Sequence, residues 1–99
     1  VLNITTKNEN DVKNIFLSGE LDTLTSEELE QQMDGLLSDA KDVIVDLKDL
    51  EYITSAGLRI LLEMQNIMST KGSMKITNSS EVILEIFEVT GFTEVLTIV

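Results

Sequence analysis

Apolar positions along this chain follow two rhythms, one of strands and one of helices. Val1 to Thr6 reads as a short strand. Lys7 to Asp11 is polar with two asparagines and reads as a turn. Val12 to Ser18 is a second strand, with Ile15, Phe16 and Leu17 apolar in a row, and the two strands can form a hairpin. Gly19 ends the second strand, and Glu20-Leu21-Asp22 leads into a loop. Thr25-Ser26-Glu27-Glu28 has the spacing of a capping box, in which a hydroxyl and a carboxylate three residues on satisfy free amides. Leu29, Met33, Leu36, Leu37 and Ala40 then recur at helical spacing. Glu27, Glu28 and Glu30 suit the positive end of such a helix. Gly35 inside it costs up to about 1 kcal/mol relative to Ala, with close packing as its only candidate reason.

Val43-Ile44-Val45-Asp46-Leu47 is a β-branched run that reads as a buried central strand. A loop is expected from Lys48 to Thr54, and a helix from about Ser55 to Lys71. Leu58, Ile60, Leu61, Leu62, Met64, Ile67 and Met68 give that helix a broad apolar stripe. Arg59, Glu63, Asn66 and Thr70 share its opposite face. Gly72 is placed to end it as a left-handed cap. Met74 to Thr77 reads as a strand, Ser80 as the cap of a helix bearing Val82, Ile83, Ile86 and Phe87, and Gly91 as its end, with Phe92 placed for an apolar contact. Val95 to Ile98 reads as a last strand. The order β-β-α-β-α-β-α-β predicts an α/β fold whose mixed sheet is mostly parallel after an N-terminal hairpin, with helices packed on it. No repeat or linker divides residues 1–99, so a single domain is expected.

Composition narrows the chemistry. The 99 residues hold no His, Cys, Trp or Pro, which excludes disulfides, the common zinc and iron–sulfur sites, and Ser–His–Asp or Cys–His catalysis. A formal charge of −11 argues against nucleic acid as a partner. No apolar run approaches the roughly 20 residues of a membrane span, and no signal-peptide pattern opens the chain. The missing initiator Met suggests processing or a trimmed chain. A cytoplasmic location is expected. Leu, Ile and Val number 32, too many for a disordered chain. Eleven acids and two lysines lie between Glu20 and Glu51, so that stretch carries a net −9. It reads either as a solvated face or as a docking surface for a basic partner.

The informative run is Asp46 to Arg59. A strand delivers a loop to a helix start, and Ser55 sits there, where backbone amides lack partners and the dipole is positive. Ala56 and Gly57 are small enough for close approach. Such a place favours an anion, including a phosphate carried by Ser55 itself. Ser is also simply a good N-cap, and the plainer reading of Gly57 is that it only allows close helix–sheet packing.

Gly19-Glu20-Leu21-Asp22 with Thr25, Val45-Asp46-Leu47, Ile53-Thr54-Ser55-Ala56-Gly57-Leu58, Ser80 and Thr90-Gly91-Phe92 together resemble the STAS domain. The resemblance spans essentially the whole chain and is greatest to bacterial anti-sigma factor antagonists. It implies a partner switch. The unphosphorylated antagonist captures an anti-sigma factor that doubles as a serine kinase and so frees a sigma factor. Phosphorylation of the serine matching Ser55 blocks capture, and a serine phosphatase resets the switch. ATP belongs to the kinase, so no cofactor is implied. The resemblance also places Glu20, Asp22 and Thr25 beside Ser55, which gives a partner-binding set of Glu20, Asp22, Thr25, Thr54, Ser55, Ala56, Gly57 and Arg59. Two departures stand out. Thr54 replaces the family's usual Asp and is itself a rival phosphate acceptor, and Arg59 stands where many antagonists have Gly.

Other classes predict different things. A carrier protein would be helical and modified by phosphopantetheine, against the strand at Val43 to Leu47 and the opening hairpin. An enzyme would need an acid pair marked out by spacing and an apolar setting, and none is. A STAS module of a stressosome-like assembly, a transporter tail or lipid asymmetry machinery would keep the fold without the phosphoswitch. The absence of an attached segment favours the free regulator.

Overall fold

The computed structural model describes all residues from Val1 to Val99. The elements are β1 (Leu2–Glu9), β2 (Val12–Leu21), α1 (Thr23–Leu37), β3 (Asp42–Ile53), α2 (Ser55–Ser69), β4 (Ser73–Thr77) and α3 (Glu81–Val89), followed by a short 3-10 turn at Phe92–Glu94. The strands form one sheet in the order β1-β2-β3-β4. β1 and β2 pair antiparallel, whereas β2–β3 and β3–β4 pair parallel. The expected mixed sheet is therefore present. The hairpin turns through Asn10 and Asp11, both at positive φ, a region in which Asn and Asp are enriched.

One face of the sheet carries the core. Ile15, Leu17 and Leu21 of β2, Val43, Val45 and Leu47 of β3, and Met74 and Ile76 of β4 are buried there. They join Leu29, Met33 and Leu37 of α1, Leu58, Leu61, Met64 and Met68 of α2, and Ile83 and Phe87 of α3 in a single cluster. The other face is left open. The row Thr5–Phe16–Asp46–Thr77 crosses it, and Phe16 is 38% exposed. The apolar run Val43-Ile44-Val45 is thus buried on one face only, with Ile44 half-buried on the other.

Several expected boundaries shift. Lys48 to Thr54 is not a loop, because β3 continues to Ile53. Its buried residues Leu47, Leu50 and Ile53 recur every third residue, which hides strand alternation in the sequence. Two register shifts against β2 explain the spacing, since each bulge absorbs an extra β3 residue. β2 likewise runs through Gly19 and Glu20 to Leu21. The expected last strand shrinks to a single bridge between Ile98 and Ile76. Gln65 of α2 pins this tail: it donates to the Met74 carbonyl at 3.2 Å and accepts from the Thr97 amide at 3.0 Å.

Helix ends also differ from expectation. Asp22, not Thr25, caps α1, and Thr25 is the third helical residue. The Asp22 carboxylate accepts from the Thr25 amide at 2.9 Å, and the Thr25 hydroxyl accepts from the Asp22 amide at 2.8 Å. The box therefore sits one turn earlier, and Glu27, Glu28 and Glu30 lie beyond the first turn, which holds no acid. Gly35 is exposed and meets no packing neighbour. At the other end of α1, two distant lysines take the place of local basic residues. Lys13 of β2 donates to the Leu36 carbonyl at 2.8 Å, and Lys71 donates to the Leu37 and Ser38 carbonyls. Gly72 is not a left-handed cap. A Cβ there would collide with the Lys41 carbonyl, so the glycine is required by close approach of two chain segments. Gly91, expected to end α3, does so in the left-handed conformation, at φ 79°.

Candidate functional site

β2 and β3 end side by side, and α1 and α2 both start at that end. Glu20 pairs with Tyr52 and Leu21 with Ile53, and the Thr54 amide then donates to the Leu21 carbonyl at 3.0 Å. Two helix N-termini are thereby brought to one edge of the sheet, each with amides that have no intrahelical acceptor.

Thr54, rather than Ser55, caps α2. Its hydroxyl accepts from the Gly57 amide at 3.4 Å and lies 3.5 Å from the Leu21 carbonyl, long contacts that make a weak cap. The uncharged Thr54 thus fills the capping position, and its oxygen is turned inward. Ser55 is the first helical residue. It is exposed, and the cap does not need its hydroxyl.

Gly57 fixes how closely α2 can approach the sheet. A Cβ on it would stand 2.7 Å from the Leu21 carbonyl oxygen and 2.8 Å from side-chain carbons of Ile53 and Leu21. Ala56 is half-buried, and Leu58 is buried beneath the helix. Arg59 is exposed on α2 four residues beyond Ser55, on the same face of the helix.

Glu20 is exposed, with its carboxylate 3.1 Å from the Val1 amine. Asp22 is half-buried, and the hydrogen bond it receives from the Thr25 backbone holds its carboxyl below the usual aspartate range. Thr25 is 4% exposed and donates to the Glu20 carbonyl at 2.7 Å. The eight residues singled out from the sequence therefore gather at one end of the sheet. They divide by exposure: Glu20, Ser55 and Arg59 face solvent, whereas Thr25 and Gly57 are buried and shape the backbone.

Two exposed apolar side chains flank this edge and were not singled out. Tyr52 is 53% exposed at the end of β3, and Leu24 is 73% exposed in the first turn of α1. Leu24 carries a signal that could have found it. The three- and four-residue steps of the stripe through Leu29, Met33 and Leu37 lead back to Ser26 and Thr25, so Leu24 falls outside it. Tyr52 carries none, since its outward direction depends on the bulges of β3.

A sequence model described as "Mlab, STAS domain" matches residues 4–98. The chain belongs to the STAS domain family. The anti-sigma-B factor antagonist of Bacillus subtilis is 29% identical over 93 residues, covering 93% of this chain and 84% of that protein. Among solved structures, an anti-sigma factor antagonist from Mycobacterium paratuberculosis superposes with a TM-score of 0.90 at 20% identity, covering 99% of this STAS chain and 85% of that one. SpoIIAA of Bacillus, solved in its phosphorylated form, gives a TM-score of 0.72 at 17% identity, covering 100% of this chain and 91% of that one. No helix of this STAS chain is long and apolar enough to cross a membrane, and no three His, Cys, Asp or Glu side chains are grouped to hold a metal ion.

Proposed function

We propose that this STAS chain is an anti-sigma factor antagonist that works as a phosphorylation-controlled partner switch. The observation that carries the reading is the Ser55 hydroxyl, which is exposed at the start of α2 and beside the edge built by Glu20 and Asp22. The similarity to the Bacillus subtilis anti-sigma-B factor antagonist supports the choice of pathway. In its unmodified form the edge binds an anti-sigma factor that is also a serine kinase, and a sigma factor is released. The kinase transfers the terminal phosphoryl group of ATP to the Ser55 oxygen, the hydroxyl proton leaves, and ADP is the other product. A serine phosphatase returns the hydroxyl by hydrolysis.

The phosphate brings about −1.5 to −2 charge to Ser55. The α2 amides offset this by about 0.3–1 kcal/mol, so the fold tolerates it. A partner packed against Ser55 does not, because a buried dianion is desolvated and opposed by Glu20 and Asp22, and every 1.4 kcal/mol lost weakens binding about tenfold. Thr54 is the poorer acceptor, since its oxygen is engaged as the α2 cap.

The test is binding to the anti-sigma factor and labelling by its kinase activity. Ser55→Asp is expected to bind at least tenfold more weakly with an unchanged circular-dichroism spectrum, and Ser55→Ala to bind but take up no phosphate. Equal binding by Ser55→Asp and the parent chain would count against the switch, and labelling of Ser55→Ala would move the site. The matching family's "Mlab" designation favours a second reading, a STAS interaction module without phosphoswitching. Under that reading the same edge would bind its partner regardless of the charge at Ser55.

A further inference from the structure

Arg59 is the only arginine of a chain with 18 carboxylates, yet it makes no ion pair. Glu63 stands four residues further along the same helix, half-buried, and does not engage it. On the other side, also four residues away, is Ser55. On a helix that spacing brings Cβ atoms within about 5–6 Å, and an anion N-terminal to a cation is the favourable orientation. Phosphorylated, Ser55 would present a dianion where the long, forked guanidinium can reach it with paired hydrogen bonds.

We infer that Arg59 is an intramolecular receptor for the Ser55 phosphate and that phosphorylation also takes this cation out of the partner surface. The inference rests on the phosphoswitch reading of Ser55 and adds a second change to it. The exposed edge gains a dianion and loses its one free guanidinium together. Glu20, paired with the Val1 amine, and Asp22 lie on the β2–α1 side of this end, and Glu63 lies beyond Arg59 on α2, so Arg59 is the cation of this group that has no carboxylate partner. Its pairing with the phosphate is what lets the modified side chain lie along α2 instead of being driven away from the edge. Arg59 is a positioning residue in this scheme.

The test uses the chain with phosphoserine placed at position 55 during translation, so it does not depend on a kinase. Phosphorus NMR titration follows the phosphate in the Arg59, Arg59→Gln and Arg59→Lys proteins. The second acid dissociation constant is expected to be roughly two- to threefold larger with Arg59 than with Gln, with Lys between them. Without phosphate, Arg59→Gln should leave the thermal midpoint unchanged, since the unmodified residue holds nothing. Identical phosphate titrations in the Arg59 and Arg59→Gln proteins would overturn the inference. Anti-sigma factor binding by the same proteins separates the two claims. If phosphate weakens binding but the titrations coincide, the receptor role fails and the switch stands. If the titrations differ but phosphate leaves binding unchanged, the switch fails and the receptor role stands.

Discussion

Two glycines lie inside helices and should respond to alanine with opposite signs. At Gly57 an added Cβ would sit 2.7 Å from the Leu21 carbonyl oxygen, well inside ordinary contact. The obstruction is backbone, and that oxygen already accepts from the Thr54 amide. The other two close atoms belong to Leu21 and Ile53, which are 0% and 2% exposed and have no free space to rotate into. Forcing a methyl into such a place costs about 1–3 kcal/mol. Replacing Gly by Ala in a helix returns up to about 1 kcal/mol, and less so close to the N-terminus. Gly57→Ala should therefore lose about 1–2 kcal/mol, a drop of roughly 5–15 °C in the thermal midpoint for a domain of this size. At Gly35 nothing lies within reach of the added methyl, so only the propensity term remains, and Gly35→Ala should gain about 0.5–1 kcal/mol. Urea and thermal unfolding followed by circular dichroism measure both. Relief of the clash means tilting α2 away from β2, so the Thr54 amide should also exchange faster with deuterium in Gly57→Ala. Gly57→Ala as stable as the parent chain would refute the spacing of α2 above Leu21, and a destabilised Gly35→Ala would refute the claim that this glycine has no packing role.

Three other perturbations test separate parts of the structure. Ser26 is 3% exposed and its hydroxyl has no hydrogen-bond partner, so Ser26→Ala should be neutral or stabilising, and a loss beyond about 1 kcal/mol in urea unfolding would show an undetected partner. Lys13→Met removes the cation that holds the Leu36 carbonyl and should cost about 1–2 kcal/mol by the same measurement. The Asp39 carboxyl, held low by its hydrogen bond from Lys13, should titrate nearer the usual aspartate range in that variant. Asp22 is also held below that range, by the Thr25 amide. A carboxyl with a lowered folded-state pKa contributes stability above its unfolded value of about 3.9 that is lost as pH falls through the folded value. Thermal midpoints should therefore fall from about pH 5 downward, and Asp22→Asn, which keeps a capping oxygen, should flatten that decline.

Most of the fold is legible locally because its signals are local. The apolar run of β2, the four-residue steps of α2, the cap at Ser80 and the glycine that ends α3 each depend on a few neighbouring side chains, and each is present. The errors come where two segments meet. Leu47, Leu50 and Ile53 look like the edge of a loop until β2 supplies the partner that makes two bulges possible. Val95 to Ile98 has strand composition, but only Ile98 pairs with β4 in the register that the chain allows. Lys13 and Lys71 cannot be recognised as caps of α1 from a sequence in which they lie 23 and 34 residues from the carbonyls they bind.

The site divides in the same way. The short run Thr54-Ser55-Ala56-Gly57 already requires a helix start with a small, hydroxyl-bearing entry, because capping and close approach are properties of residue type and spacing. Where α2 starts, and so which residue is its cap and which is left to solvent, follows from the neighbouring strand, whose Leu21 carbonyl accepts from the Thr54 amide at 3.0 Å across 33 residues of sequence. The same strand brings Glu20 beside Tyr52 and fixes the height of α2 through Gly57. Local spacing can specify a helix end, but an edge made from two strands and two helices exists only once their register is set.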